Sequence, residues 1–214
     1  MLTTATVVRR LTPMGRHHRD DWRNPDGPWQ GRFRRRVPWS APGLVIIACA
    51  LVFLVQWLRG WRGFGMAPEL QIFGEASWPR LLAGEWWRLV SYAFVHGNVV
   101  HLLLNILGLI LFGRLACMEF GNRHWLGIFL AGAVGGAVAY LAVFNEPNQR
   151  LVGASAGIYA LITATTLRMP DLPLSVPFLP GLSVRLRHVT LGLLAIEAVN
   201  TVAQAIALAQ PIAA

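Results

Sequence analysis

RLVGASAGIYALITATTLR (Arg150–Arg168) begins and ends on arginine, and every residue between is apolar, small or hydroxylated. An uncharged run flanked by cations reads as a helix crossing a lipid bilayer. A single serine, Ser155, sits in a glycine-alanine setting just inside the run. A serine there is either a packing residue bonded to its own helix or a nucleophile, and a nucleophile needs a proton acceptor.

The rest of the 214-residue chain agrees with a membrane setting. It is 55% hydrophobic and 14% charged, whereas soluble domains carry roughly 25% charged residues. The formal net charge is +9, and every basic residue other than histidine is arginine. Those arginines fall between apolar spans and form no continuous basic face, so nucleic acid is not the expected partner. Cys49 and Cys117 both lie in apolar stretches and imply no disulfide framework. Residues 1–38 are polar and arginine-rich, with no signal-peptide core. They read as a basic, disordered cytoplasmic tail ahead of a membrane domain over residues 39–214.

Five apolar spans are expected: Pro42–Leu58, Val99–Met118, His124–Phe144, Leu151–Leu167 and His188–Ala209. Crossing a hydrocarbon core takes about 20 helical residues, and the first and fourth spans are short by that measure. The stretch from Gly60 to Tyr92 places Trp61, Trp78, Trp86 and Trp87 among charges, which suits an interfacial loop. The fold class is therefore an all-α polytopic bundle. The Arg32–Arg36 cluster puts the N-terminus inside, and the 60–98 and 145–150 loops then lie outside. Gly132 and Gly136, and Gly153 and Gly157, are small-xxx-small pairs that let helices approach closely. The fourth span, rich in alanine and threonine, is expected at the bundle centre.

Polar residues converge at one depth. Ser155 is expected four residues into span four, roughly 6 Å below its outer end. Span two begins at the same face with HGNVVHLLLNILGLILFG, carrying His96, Asn98, His101 and Asn105. His101 and Asn105 are four apart and share a helix face. Intramembrane histidine and asparagine are costly and mark function by default. A serine beside two side-chain donors is what acyl transfer needs: one attacks a carbonyl, the others stabilise the oxyanion. His96 and His101 gain no carboxylate or cysteine partner, so no metal site is expected.

Two segments carry a family resemblance. GEWWRLVSYAFVHGNVVHLLLNILGLILFG and GASAGIYAL resemble the main signatures of the rhomboid intramembrane serine proteases, through Trp87-Arg88, then His96, His101 and Asn105, then Gly153-Ala154-Ser155. Glu119 and Gly121 resemble the family's stretch between the second and third helices. The resemblance implies a rhomboid-like bundle over about residues 40–210. It implies Ser155 as nucleophile, with His101, Asn105 and the Ser155 N–H as the oxyanion hole. Tyr159 would match the tyrosine that packs on the catalytic imidazole, and Tyr159, His96 and Gly153 would meet the substrate. Ala156 departs from the family, where glycine is frequent.

The larger departure concerns the base. The family places a histidine on a sixth helix, in an Ala-His-x-x-Gly setting, and this sequence reaches Ala214 after five spans. Its last histidine, His188, is expected on the order of 25 Å from Ser155 along the membrane normal, so no general base is expected in the chain as it stands. Two readings follow: a C-terminally truncated protease, or a non-catalytic five-helix protein that binds transmembrane clients. The intact nucleophile and oxyanion residues favour the first. The implied reaction is hydrolysis of single-pass membrane proteins within the bilayer, with no cofactor, in a bacterial inner membrane. A polar stripe on span five, Glu197, Asn200, Thr201 and Gln204, would face a substrate groove or a sixth helix.

Overall fold

The structure, a computed structural model, describes residues 40–60, 74–144, 150–175 and 183–209. The tail expected over residues 1–38 lies outside them. All described residues belong to one compact unit, Arg36–Ala214. In chain order the helices are α1 (Ala41–Gly60), α2 (Trp78–Leu82), α3 (Arg88–Ser91), α4 (Val99–Gly108), α5 (Arg114–Val143), α6 (Ser155–Arg168) and α7 (Leu186–Ala209). Strands β1 (Pro173–Ser175) and β2 (Ser183–Arg185) form a small antiparallel hairpin before α7, pairing Leu174 with Val184. The bundle is thus the expected helical one, with one short β-ribbon in the connection between α6 and α7.

Three helical stretches among the described residues are long and apolar enough to cross a membrane: Ala41–Leu58, Val99–Val143 and Leu186–Leu208. The middle one contains the second and third expected spans. No loop separates them. The helix reverses at Gly121 alone, with φ 73° and ψ 165°, a conformation open to glycine because it lacks a Cβ. Asn122 stitches this corner to α1: its Oδ1 accepts from the Ala41 N–H at 2.9 Å and from Cys117 Sγ at 3.0 Å. A π-turn, Leu109–Gly113, joins α4 to α5. At its end the Gly113 carbonyl accepts the Trp125 indole N–H at 2.8 Å. Trp125 then stacks on Phe129, and both are fully buried.

The fourth span is shorter than expected. Helix α6 starts at Ser155, not Leu151, and has 14 residues. At 1.5 Å per residue it covers about 21 Å, less than a bilayer core. The physical reason lies just upstream. Leu151 forms a β-bridge with Ala76, and Gly153 adopts φ 107°, so residues 150–154 cannot join the helix. Irregular backbone is tolerated at such depth only when protein encloses it. Ser155 is therefore the first residue of its helix, rather than one turn inside it.

Helix α6 packs against α5 through small residues, as their spacing suggests. A Cβ on Gly136 would lie 2.5 Å from the Ala156 Cβ, and one on Gly132 would run into the Ala160 methyl. A Cβ on Gly157 would meet the Phe129 ring at 2.5 Å. The extra methyl of Ala156 is thus accommodated by the bare backbone of Gly136. Gly153 takes no part in this seam.

Helix α7 is held by polar contacts. Thr190 Oγ1 and Thr166 Oγ1 lie 2.6 Å apart, and Gln204 Nε2 donates to the Tyr140 hydroxyl at 3.1 Å. Most of its apolar side chains beyond Thr190, among them Leu191, Ile196 and Val199, are exposed, as befits a lipid-facing surface. Glu197 is exposed, and its carboxyl interacts with Tyr159 of α6.

Candidate active site

The segment before α4 builds one wall of the site. Trp78 Nε1 donates to the Leu141 carbonyl at 2.7 Å, and the Tyr92 hydroxyl donates to the Ala133 carbonyl at 2.7 Å. Both pin the segment onto α5. Arg88 is enclosed, 2% exposed. Its Nε donates to Glu85 Oε2 at 2.5 Å and its Nη1 to the Glu75 carbonyl at 2.9 Å. The hydrogen bond from Arg88 holds the Glu85 carboxyl below its ordinary range. Burial raises the Glu75 carboxyl, against the opposing pull of Arg150, Arg88 and Arg80. Arg150 reaches Glu75 Oε2 at 3.5 Å. Trp86 and Trp87 beside this cluster are exposed. The expected Trp87-Arg88 pair therefore divides its work: the indole faces outward and the guanidinium braces the segment from inside.

This frame reaches Ser155 directly. The Gly153 N–H donates to the Tyr92 carbonyl at 2.9 Å, and Ala76 and Leu151 exchange backbone bonds at 2.9 and 3.1 Å. The chain turns at Gly153, and α6 starts two residues later. Its N-cap is Ala154, which offers no side-chain acceptor. The first backbone N–H groups of a helix have no partner within it and carry partial positive charge. Those of Ser155, Ala156 and Gly157 gain none from a cap side chain. Ser155 is half-buried, and its Oγ has no hydrogen-bond partner among the described residues.

Helix α4 supplies the opposing side. Asn98 caps it, its Oδ1 accepting from the His101 N–H at 2.8 Å. The Gly97 N–H donates to His101 Nδ1 at 3.4 Å. That assigns the proton of a neutral His101 to Nε2. His101 Nε2 in turn packs on Gly153: a Cβ there would lie 2.5 Å from Nε2 and 3.6 Å from Asn105 Nδ2. Asn105 is buried and spends one N–H on the His101 carbonyl at 2.9 Å, keeping a second. His101, Asn105 and Gly153 thus converge, and Ser155 follows Gly153 by two residues. Tyr159 lies one turn beyond Ser155 on α6, half-buried.

His96 departs from expectation. It is fully enclosed, so it has no surface to offer a substrate. Its Nδ1–H donates to the Phe94 carbonyl at 3.2 Å, and its ring meets the His101 ring edge-on with centroids 5.2 Å apart. Burial, with the His101 ring adding to it, lowers its pKa to about 4, so it is neutral near pH 7. His188 sits near the start of α7, beyond the opposite end of α6 from Ser155, about 20 Å away along the bundle. No group of three or more metal-ligating side chains occurs among the described residues.

Gln56 joins the site from outside the segments that the sequence singles out. This buried amide in α1 donates through Nε2 to the His96 carbonyl at 3.3 Å and accepts from the His96 N–H at 3.4 Å. Its signal was a lone amide in an otherwise apolar span.

These features define a helical integral membrane protein with a serine at an uncapped helix N-terminus, two residues after a glycine on which two side-chain donors pack. The chain belongs to the rhomboid family: the family model described as Rhomboid domain matches residues 83–209, more than half of the chain. It is 41% identical over 100 residues to Rhomboid-related protein 1 of Caenorhabditis elegans, covering 46% of this chain and 26% of that one. It is 28% identical over 161 residues to Rhomboid-like protein 16, chloroplastic, of Arabidopsis thaliana, covering 64% and 49%. It is 29% identical over 124 residues to Rhomboid protease GluP of Bacillus subtilis, covering 58% and 24%. The matched stretch spans about half or less of these relatives' own length.

Proposed function

We propose that the protein is an intramembrane serine endopeptidase that cleaves single-pass membrane proteins in a bacterial inner membrane, with its N-terminus cytoplasmic. One observation carries this reading: the His101 Nε2 edge and the Asn105 amide close on Gly153, two residues before a serine with a free hydroxyl at a helix N-terminus. The printed name of the Bacillus relative, a rhomboid protease, supports it.

In this reading Ser155 Oγ attacks the scissile carbonyl carbon while a base takes its proton. The carbonyl π-pair moves to oxygen, and the Ser155 N–H, His101 Nε2–H and Asn105 Nδ2–H receive that oxyanion. Collapse breaks the C–N bond, and the leaving amine takes the proton from the base. Water then hydrolyses the acyl ester by the reverse proton traffic. Tyr159 and Gly153 line the path of the substrate backbone. The substrate needs helix-destabilising residues at the cut, because a helical backbone hides its carbonyls. His101 is engaged as a donor and His188 is at the far end of the bundle, so neither of these two serves as the base. Neither a metal nor an organic cofactor is required.

A second reading, client binding without cleavage, is favoured by the distance between Ser155 and His188. A fluorophosphonate separates the two. It is applied to membranes carrying the product of the complete reading frame, with Ser155→Ala as control. A Ser155 adduct supports the protease. An unlabelled, folded product supports client binding.

A further inference from the structure

We propose that Gln56, from the first span, is a positioning residue that sets the tautomer and aim of His101. This rests on the protease reading only for its consequence, since the geometry stands without it.

The relay crosses one peptide group. Gln56 Nε2 donates to the His96 carbonyl at 3.3 Å. That carbonyl and the Gly97 N–H belong to the same planar unit. The Gly97 N–H points the other way and donates to His101 Nδ1 at 3.4 Å. With Nδ1 occupied as acceptor, the His101 proton sits on Nε2, the atom packed on Gly153. Each bond polarises the next in the same sense.

Gln56 holds this plane from both sides of His96. Its Oε1 accepts from the His96 N–H at 3.4 Å. A flipped amide would set oxygen against carbonyl oxygen and N–H against N–H, so the two bonds fix its orientation. Gln56 is 3% and His96 0% exposed, so water does not compete for these groups. The His96 ring completes the clamp. Its Nδ1–H is tied to Phe94, and its edge bears on His101. Without Gln56 the 96–97 peptide can rotate, the Gly97 N–H leaves Nδ1, and His101 loses its preference for Nε2–H.

The test uses selectively 15N-labelled histidine in the detergent-solubilised 214-residue chain. The sequence has six histidines, and His101→Asn identifies the signal. In the wild type, His101 shows one tautomer, protonated at Nε2. In Gln56→Met, near in size but without an amide, the His101 signals move toward a mixed tautomer while those of His188 stay. Should Gln56→Met fail to fold, Gln56→Asn keeps an amide but draws it back by one methylene, and the same change is expected. The second readout is the rate of Ser155 labelling in the complete gene product, expected to fall about tenfold as the donor drifts. An unchanged His101 spectrum in a folded variant overturns the proposal. A changed spectrum in a protein whose wild type never labels overturns the protease reading and leaves the positioning role standing.

Discussion

The imidazole of His101 rests on the backbone of Gly153, so closely that a Cβ at that position would lie 2.5 Å from Nε2. Two segments distant in the chain, the start of α4 and the approach to α6, thereby share one small volume beside Ser155. Gly153 also holds φ 107°, which disfavours any side chain. Gly153→Ala should therefore both strain the turn and displace His101. Labelling of Ser155 is expected to fall by about two orders of magnitude, while the helical circular dichroism signal stays. Unchanged labelling would mean that His101 does not sit where the oxyanion forms.

The seam between α5 and α6 makes a compensating pair. Gly136→Ala places a methyl 2.5 Å from the Ala156 methyl and is expected to cost about 1–3 kcal/mol as overpacking. Ala156→Gly removes the obstructing methyl. Thermal midpoints in detergent should show Gly136→Ala well below wild type, with Gly136→Ala/Ala156→Gly recovering most of the loss. Additive losses would show that the two residues do not face each other.

Arg88 and Arg150 both approach Glu75, yet they differ in burial. Arg88 is enclosed and bonds a buried carbonyl, whereas the Arg150 side chain is half exposed. Arg88→Ala is expected to destabilise by about 2–4 kcal/mol, because it leaves a buried acceptor unpaired. Arg150→Ala should cost less, about 1 kcal/mol, because its guanidinium is half solvated although the Glu75 carboxyl it leaves is buried. Paired melting curves decide this, and equal shifts would contradict the enclosed role of Arg88.

His96 predicts a pH dependence of definite sign. Burial lowers its folded pKa from 6.5 to about 4. Between these values the unfolded chain binds a proton that the folded chain does not. Stability from this group is therefore full above pH 6.5 and is lost as pH falls toward about 4. His96→Asn keeps an N–H for the Phe94 carbonyl and removes the titration. Its stability relative to wild type should improve steadily on going from pH 7 to pH 4.5. A difference that does not vary with pH would show that His96 is not held neutral.

Much of this site was legible from spacing. The interval of four between His101 and Asn105 puts both on one face of α4, and the Gly153 backbone, two residues before Ser155, meets that face. The small residues of α5 and α6 announced their seam. What hydropathy could not reveal was where α6 begins. Leu151, Val152 and Ala154 are as apolar as a helix requires, but the Ala76 bridge and the positive φ of Gly153 are tertiary facts, and they keep this stretch out of the helix. The same blindness missed the single-residue reversal at Gly121, where a loop was expected. It also set His96 in the substrate path, although residues on α1 and the preceding segment enclose it. Gln56 escaped notice because its partner is a main-chain peptide, which carries no residue-type signature.

The most direct measurement is mass spectrometry of the complete gene product after fluorophosphonate treatment in native membranes, with the 214-residue chain and Ser155→Ala alongside. An adduct on Ser155 of the complete product and none in Ser155→Ala are the expected results. Labelling of the 214-residue chain at the full rate would move the base onto α4 and contradict the donor role of His101. A folded complete product without any adduct on Ser155 would contradict the protease reading itself.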